Sequence, residues 1–239
     1  MVSPRLLVVP VLAALAVGAF AGCAATPADA PSPTGTDPAT QTELDAAWLD
    51  GGRIIGLVTS GSSSCVPAAD AATVEADGSL LVTLVEPDAE TACTRDLVPR
   101  VTLVEVPEGV DPTQDLAIIV SGDGYSGQVE LDGVTGLAGG GMTDYLPSAG
   151  WTDTDGQFVV LTWGSSSCAP IVDQVAASGP AEVTVTFQTP PADQVCTMDM
   201  APRAFVAVVD GLEEDGDVSL VLAGTPGFDD VRIPIYGED

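Results

Sequence analysis

Apolar and polar residues alternate with a period of two in the most regular segments of this chain. Val183, Val185 and Phe187 alternate with threonines, and Leu80 and Val82 keep the same parity with Leu84 in the first half. A period of two is typical of a β-strand that buries one face. Beyond the N-terminal 22 residues no stretch has sustained helical spacing, and Gly, Pro and Asp interrupt the chain at short intervals. The pattern predicts an all-β protein.

Further short strands are predicted in two matching series. The first series lies at 54–59, 101–106, 116–120 and 129–131, and the second at 158–163, 204–209, 218–222 and 231–235. Many short strands separated by turn residues are typical of antiparallel sandwiches and barrels. We therefore expect two tandem small domains, each an antiparallel β-sandwich or open barrel.

The two series are copies of one repeat. Residues 48–106 align without gaps on residues 151–209, with 20 identities in 59 positions. The identities cluster in a Gly-Ser-Ser-Ser-Cys segment and in a Cys-Thr-x-Asp-x-x-Pro-Arg segment, each of which occurs once per copy. The alignment predicts a first β repeat at 45–147 and a second at 148–239. The glycine run just before the second copy predicts a short hinge between them.

Four of the five cysteines fall into two equally spaced pairs. Cys65 and Cys93 are 28 residues apart, and so are Cys168 and Cys196. Equal spacing within each copy of an exported protein predicts one disulfide per copy. No CxxC pair occurs, so a zinc or redox role for these cysteines is not expected. Cys23 is the cysteine left without a partner.

The N-terminus has the pattern of an export signal. Residues 1–22 carry a positive charge at Arg5 and then an apolar run of 15 residues, which is short for a membrane span. The run ends in Phe20-Ala21-Gly22-Cys23, which resembles the lipobox of bacterial lipoproteins. That resemblance implies a lipidated Cys23 and attachment to the outer face of the cytoplasmic membrane. Ordinary signal peptidase cleavage after Ala21, followed by secretion, is the alternative.

Residues 23–44 are rich in Ala, Pro and Thr and have no apolar periodicity. Such a composition predicts an extended tether rather than a folded segment. A bare linker and an O-glycosylated stalk are both compatible with it.

The charge of the chain excludes several classes of function. Six Arg, no Lys and no His stand against 35 acidic residues, for a formal net charge of -29. Nucleic-acid binding is excluded because it needs cations that neutralise phosphates. Without His there is no Ser-His-Asp or Cys-His catalytic set and no His-ligated zinc. No metal or cofactor is expected, and the acidity favours solubility over a specific cationic partner.

Five side chains are the best candidates for a binding site: Asp96, Arg100, Asp199, Arg203 and Trp163. The Asp and Arg positions recur in both copies, which predicts an internal ion pair, an Arg fork on a loop carbonyl, or a grip on a carboxylate or sulfate ligand. Trp163 is either an exposed anchor for a sugar or peptide or a core residue at a strand end. The repeated serines either line a surface or satisfy backbone groups beside the disulfide.

The repeated Ser-Ser-Ser-Cys and Cys-Thr-x-Asp-x-x-Pro-Arg segments resemble repeats in uncharacterised surface lipoproteins of high-GC Gram-positive bacteria. The resemblance implies an envelope location and carries no known activity. The preferred function is an extracytoplasmic binding or interaction module for an envelope protein or a small ligand. A carboxylate-based enzyme such as a glycosidase, which needs two facing acids, and a structural spacer are the alternatives.

Overall fold

The computed structural model describes residues 41–212 and 217–238. The predicted signal peptide, Cys23 and most of the predicted tether lie outside the described residues. The described part contains 14 strands in two series of seven. The first copy contributes β1 (Asp45–Leu49), β2 (Ile54–Gly61), β3 (Ala68–Val74), β4 (Leu80–Val85), β5 (Val98–Glu105), β6 (Leu116–Gly122) and β7 (Tyr125–Leu131). The second copy contributes β8 (Ser148–Trp151), β9 (Gln157–Gly164), β10 (Val172–Gly179), β11 (Glu182–Phe187), β12 (Ala201–Val208), β13 (Ser219–Ala223) and β14 (Val231–Tyr236).

The two copies have the same topology, and the predicted all-β fold with one disulfide per copy is confirmed. Each copy pairs three strands in one sheet (β1-β2-β5 and β8-β9-β12) and four in another (β3-β4-β6-β7 and β10-β11-β13-β14). Neighbouring strands within these sheets are antiparallel except for β4–β6 and β11–β13, which are parallel, as is the short additional pairing of β14 with β8 in the second copy. The β4–β6 and β11–β13 pairs are parallel because the intervening strand, β5 or β12, crosses to the other sheet. The strands of each copy fall within 45–147 and 148–239.

The strands that the pattern missed are poor strand formers by composition. β3 has the sequence AADAATV and β1 the sequence DAAWL, and alanine is depleted in strands. β3 and its counterpart β10 lie at the outer edges of the four-stranded sheets, where few of their residues are buried. Pairing with β4 and β11 keeps these segments extended, so tertiary context overrides their weak propensity.

Each copy has its own apolar core between its two sheets. The alternation predicted for β4 and β11 is confirmed, because Leu80, Val82 and Leu84 are buried, as are Val183 and its alternate neighbours. The aligned tryptophans Trp48 and Trp151 lie in the two cores. The end of β14 also pairs with β8, which joins the two sheets of the second copy into one seven-stranded sheet.

A third core lies between the copies. It consists of buried residues from the three-stranded sheets of both copies: Ala47, Leu49, Ile54, Val58, Val159 and Leu161. β2 and β9 are therefore buried on both faces, which explains why they are continuous apolar runs rather than alternating ones. Residues 39–239 consequently form one compact unit.

The glycine run between the copies is not a free hinge, which corrects the prediction from composition. The backbone N–H of Gly139 donates to the carbonyl of Gly51 at 3.0 Å, and the backbone N–H of Val134 donates to the carbonyl of Pro112 at 2.9 Å. These bonds hold the connection against the first copy. Together with the shared core, they keep the two copies from moving as independent domains.

Both predicted disulfides are present. Cys65 and Cys93 are joined with Cα atoms 5.5 Å apart, and Cys168 and Cys196 with Cα atoms 5.6 Å apart. Disulfides persist in oxidising compartments, so they indicate an extracytoplasmic environment. In the described part of the chain no helix is long and apolar enough to cross a membrane.

Substitution of Gly150 tests the packing of one copy on the other. A Cβ atom at Gly150 in β8 would overlap the carbonyl oxygen of Trp48 and lie 3.3 Å from the Cβ of Ala47. Because backbone cannot move aside cheaply, we expect Gly150→Ala to lower the free energy of unfolding by about 1–3 kcal/mol. Urea denaturation measures the change. Gly179→Ala is the control, because the nearest atom to its Cβ would be Glu182 Cβ at an ordinary 3.4 Å. Equal effects of the two substitutions would contradict the packed interface.

Candidate functional site

Arg100, at the start of β5, is a buried and fully bonded cation. Its side chain is 7% exposed. Its Nε donates to Thr59 Oγ1 at 3.4 Å, and its Nη1 donates to the carbonyls of Ser62 and Cys65. Its Nη2 donates to Glu86 Oε1 at 3.1 Å and to the Tyr125 hydroxyl. A guanidinium has five N–H donors, and each has an acceptor here.

Glu86 and Tyr125 complete the network around Arg100. The Tyr125 hydroxyl donates to Glu86 Oε1, so one carboxylate oxygen accepts from both partners. Burial and the adjacent Glu86 raise the pKa of Tyr125 to about 12, so the phenol stays protonated as a donor at neutral pH. The charge of Arg100 is thus neutralised by Glu86 within the first copy.

Arg203 is the equivalent residue in β12, and its surroundings differ. Its Nη1 donates to the carbonyls of Ser165 and Cys168 at 3.4 and 3.0 Å, as in the first copy. Its Nη2 donates to the carbonyl of Trp163 at 2.7 Å. Its buried Nε has no hydrogen-bond partner, and among the described residues no carboxylate forms an ion pair with Arg203. Burial lowers the pKa of the Arg203 guanidinium.

The glycine before each serine run makes room for the arginine. A Cβ atom at Gly61 would lie 2.6 Å from Arg100 Nη2, and one at Gly164 would lie 2.6 Å from Arg203 Nη2. With any other residue at these positions, the guanidinium would have to shift away from the loop. The glycine recurs in both copies because the guanidinium lies against its backbone while it reaches the loop carbonyls.

Asp96 and Asp199 hold the same serine loops from the other side. The backbone N–H of Ser63 donates to Asp96 at 3.2 Å, and that of Ser166 donates to Asp199 at 3.0 Å. Hydrogen bonds from Ser63 and Thr94 lower the pKa of Asp96 to about 2. Bonds from Thr197 and Ser166 lower the pKa of Asp199 well below its usual range. Of the predicted structural roles, the Arg fork on a loop carbonyl is present, and among the described ion pairs neither Asp96 with Arg100 nor Asp199 with Arg203 occurs.

In each copy the serine hydroxyls bond mainly to the threonine that follows the second cysteine. Ser62 Oγ lies 2.8 Å from Thr94 Oγ1, and Ser165 Oγ lies 2.8 Å from Thr197 Oγ1. The backbone N–H of Thr94 also donates to Ser64 Oγ at 3.0 Å. The hydroxyls therefore connect the two ends of each disulfide loop, which accounts for the recurrence of both segments.

Trp163 packs between the copies instead of forming an exposed platform. Its side chain is partly buried against the core shared by the two three-stranded sheets. Its ring also contacts Tyr145 edge-on, with centroids 5.1 Å apart. Among the described contacts, Arg203 reaches Trp163 by one hydrogen bond, which it donates to the Trp163 carbonyl. The core interpretation of Trp163 therefore describes its position best.

A cleft lies between the copies, away from the five candidates. Its volume is about 820 Å³. The first copy contributes Trp48 and residues 131–137, and the second contributes Trp151 and residues 234–238, with further residues from each. Neither Arg203 nor Trp163 lines it. The indole of Trp48 donates to the carbonyl of Asp132 at 2.9 Å, whereas the buried indole nitrogen of Trp151 has no acceptor among the described residues.

The cleft is strongly acidic. Five exposed carboxylates line it, and no Lys or Arg does: Asp115, Asp132, Asp153, Asp217 and Glu238. Partial burial and the nearby charges of Asp45 and Asp132 raise the pKa of Asp153. In the described part of the chain no group of three or more carboxylates or cysteines is arranged to hold a metal ion.

Sequence reasoning missed Glu86, Tyr125 and the cleft residues. Glu86 and Tyr125 carry no motif, but they differ between copies at positions that otherwise align, where the second copy has Thr189 and Phe228. That difference was the available signal. The cleft residues gave none, because residues from distant parts of the chain meet there only when the two copies pack.

No protein-family model, curated protein or solved structure matches this chain. The two copies nevertheless serve as references for each other, because they share a topology and the repeated segments. Residues that differ between the copies at an aligned position can therefore be compared in two otherwise similar environments.

Proposed function

We propose that this protein is an envelope lipoprotein that binds a cationic ligand, such as a basic peptide segment, outside the cytoplasmic membrane. The observation that carries this proposal is the acidic cleft between the copies. Its volume of about 820 Å³ lies within the range of about 300–1,000 Å³ that is usual for ligand sites. Both copies contribute to it, so duplication of the fold created a concave surface that one copy lacks.

The cysteines support the location. Four of the five in the sequence form the two disulfides, and Cys23 follows the lipobox-like segment. Two or more acyl chains on Cys23 would hold the protein stably at the membrane. The Ala, Pro and Thr-rich tether would then carry the double sandwich away from the bilayer.

The chemistry of the cleft favours a ligand that carries positive charge and at least one acceptor oxygen. Carboxylates at the rim would accept from ammonium or guanidinium groups, and the negative potential of an acidic cleft concentrates cations. The indole N–H of Trp151, 4% exposed by residue, is a donor in the wall without an acceptor. A basic peptide supplies both kinds of group through its side chains and its carbonyls.

Calorimetric titration of the full chain in detergent with an amidated tri-arginine peptide tests the proposal. We expect Asp132→Asn/Asp153→Asn to weaken binding by about tenfold or more, because both charges lie at the cleft. Asp88→Asn/Glu90→Gln removes two exposed charges elsewhere and is the matched control, expected to change the affinity by less than about twofold. Equal weakening by both variants would show attraction to the general acidic surface and would contradict a cleft site, as would absence of binding.

The glycosidase alternative rests on Asp153, whose raised pKa and proximity to Asp132 resemble the pairing of an acid with a second carboxylate. The cleft carboxylates are exposed, however, whereas the acid of a glycosidase is typically held in an apolar pocket. Binding therefore describes the cleft better than catalysis. A spacer would bind neither peptide nor sugar, so the same titration separates it from the preferred function.

A further inference from the structure

The two copies differ in how they satisfy one buried guanidinium. Arg100 has an acceptor for each of its five N–H donors, including the carboxylate of Glu86. Arg203 donates to three carbonyls: its buried Nε–H has no acceptor among the described residues, and Nη2 makes one bond with its two hydrogens. Nε and Nη2 form one edge of the guanidinium, which is the geometry that accepts a carboxylate through two parallel bonds.

The Nε and Nη2 edge of Arg203 lacks these acceptors because two aligned residues differ between the copies. Thr189 aligns with Glu86 at the end of the fourth strand of the repeat, and each is followed by a proline. Phe228 aligns with Tyr125 and has no hydroxyl to offer. The nearby Thr162, which aligns with Thr59, donates its hydroxyl to the carbonyl of Arg203 instead of accepting from Nε. The second copy thus lacks each of the three acceptors that complete the first.

We propose that the second copy binds a carboxylate group of an extracytoplasmic ligand on the Nε and Nη2 edge of Arg203. The bound carboxylate takes the place that Glu86 occupies in the first copy. Asp199 acts on Arg203 only from beyond ion-pair distance, and a partly buried cation without a contacting carboxylate is unfavourable, so a carboxylate in bidentate contact lowers that cost. This site is separate from the acidic cleft, since Arg203 does not line the cleft.

The surroundings of Arg203 are partly open to solvent, although its Nε atom is itself buried. Arg203 is partly exposed, and Thr189, which aligns with the internal carboxylate of the first copy, is exposed. Burial lowers the pKa of Arg203, which remains charged at neutral pH because an arginine ordinarily loses its proton only at strongly alkaline pH. The net charge of -29 repels free anions from the protein as a whole, so the affinity for a small carboxylate depends on salt.

The six arginines of the chain make the test direct. In the full chain, labelled with ¹⁵N-arginine and solubilised in detergent, each Nε–H group gives one NMR signal. We expect sodium acetate, titrated against sodium chloride at constant ionic strength, to shift the Arg203 signal along a saturating curve. The Arg100 signal is the internal control and should not move, because its donors are already occupied. Sodium sulfate provides a second arm that distinguishes carboxylates from tetrahedral anions.

Exchange of residues between copies provides the matched variants. Thr189→Glu/Phe228→Tyr supplies the second copy with an internal carboxylate and hydroxyl, so it should abolish the acetate-dependent shift of Arg203. The reciprocal Glu86→Thr/Tyr125→Phe should open the first copy and make the Arg100 signal respond to acetate.

Three results would overturn the proposal. The Arg203 signal of the wild-type chain could be unmoved by acetate, it could move as much with chloride, or it could respond to sulfate and not to acetate. Each is read from the wild-type protein, so the test does not depend on the folding of any variant. Failure of this site would leave the proposal for the acidic cleft unaffected, since that cleft is measured with a different probe.

Discussion

Replacement of Arg100 with methionine is expected to lower the free energy of unfolding by about 2–4 kcal/mol, because it leaves Glu86 and two loop carbonyls without their donor. The equivalent Arg203→Met should cost less than about 1.5 kcal/mol. It also removes three bonds to carbonyls, but it eliminates a partly buried cation that has no carboxylate in ion-pair contact among the described residues. Urea denaturation of the two variants measures the difference.

A double variant separates the charge from the packing. If the orphaned carboxylate causes the loss, Arg100→Met/Glu86→Gln should recover part of the stability lost in Arg100→Met. Glu86 is 37% exposed, so the recovery should be partial, because water already solvates the carboxylate to some extent. Equal costs for Arg100→Met and Arg203→Met would show that the difference between the copies has no energetic consequence.

Removal of either disulfide is expected to lower the free energy of unfolding by about 3–4 kcal/mol. Each closes a loop across 28 residues, and the chain-entropy relation gives this magnitude for such a loop. Cys65→Ala/Cys93→Ser and Cys168→Ala/Cys196→Ser are the matched variants, with alanine at Cys65 because that position is buried. Urea denaturation of each variant and of the oxidised wild type gives the values.

The shared core adds a second expectation for these variants. Because the two copies bury apolar residues against each other, loss of one disulfide should destabilise the whole body, and unfolding should remain a single transition. A reductant should change nothing further in a variant that lacks all four cysteines. Two separate transitions, with one unaffected by the substitution, would contradict the shared core, and a loss below about 1 kcal/mol would contradict the role of the disulfide.

Local patterns in the sequence predicted much of the fold. The alternation around Val82 and Val185 assigned strands, since a strand places successive side chains on opposite faces. The constant spacing of Cys65–Cys93 and Cys168–Cys196 predicted the disulfides, because copies of one unit conserve the geometry that joins them. The short alanine-rich strands were missed, since pairing with a neighbour and not propensity holds them extended.

The candidate site was predicted in part. Repetition identified Arg100, Arg203 and their aspartates, because a residue retained in both copies serves something that both copies need. Repetition could not show which of the two arginines has an acceptor for each of its N–H donors. Its partners Glu86 and Tyr125 come from strands remote in the chain, and their effect depends on atoms that meet only after folding.

The sequence by itself determined the duplication, the β class and the disulfide pairs, because each depends on periodicity or spacing along the chain. Only the tertiary structure decided that the copies pack as one body, that a cleft opens between them, and that Arg203 has an open edge. Those features arise from surfaces and donors that meet across large separations in sequence, where no local pattern records the contact.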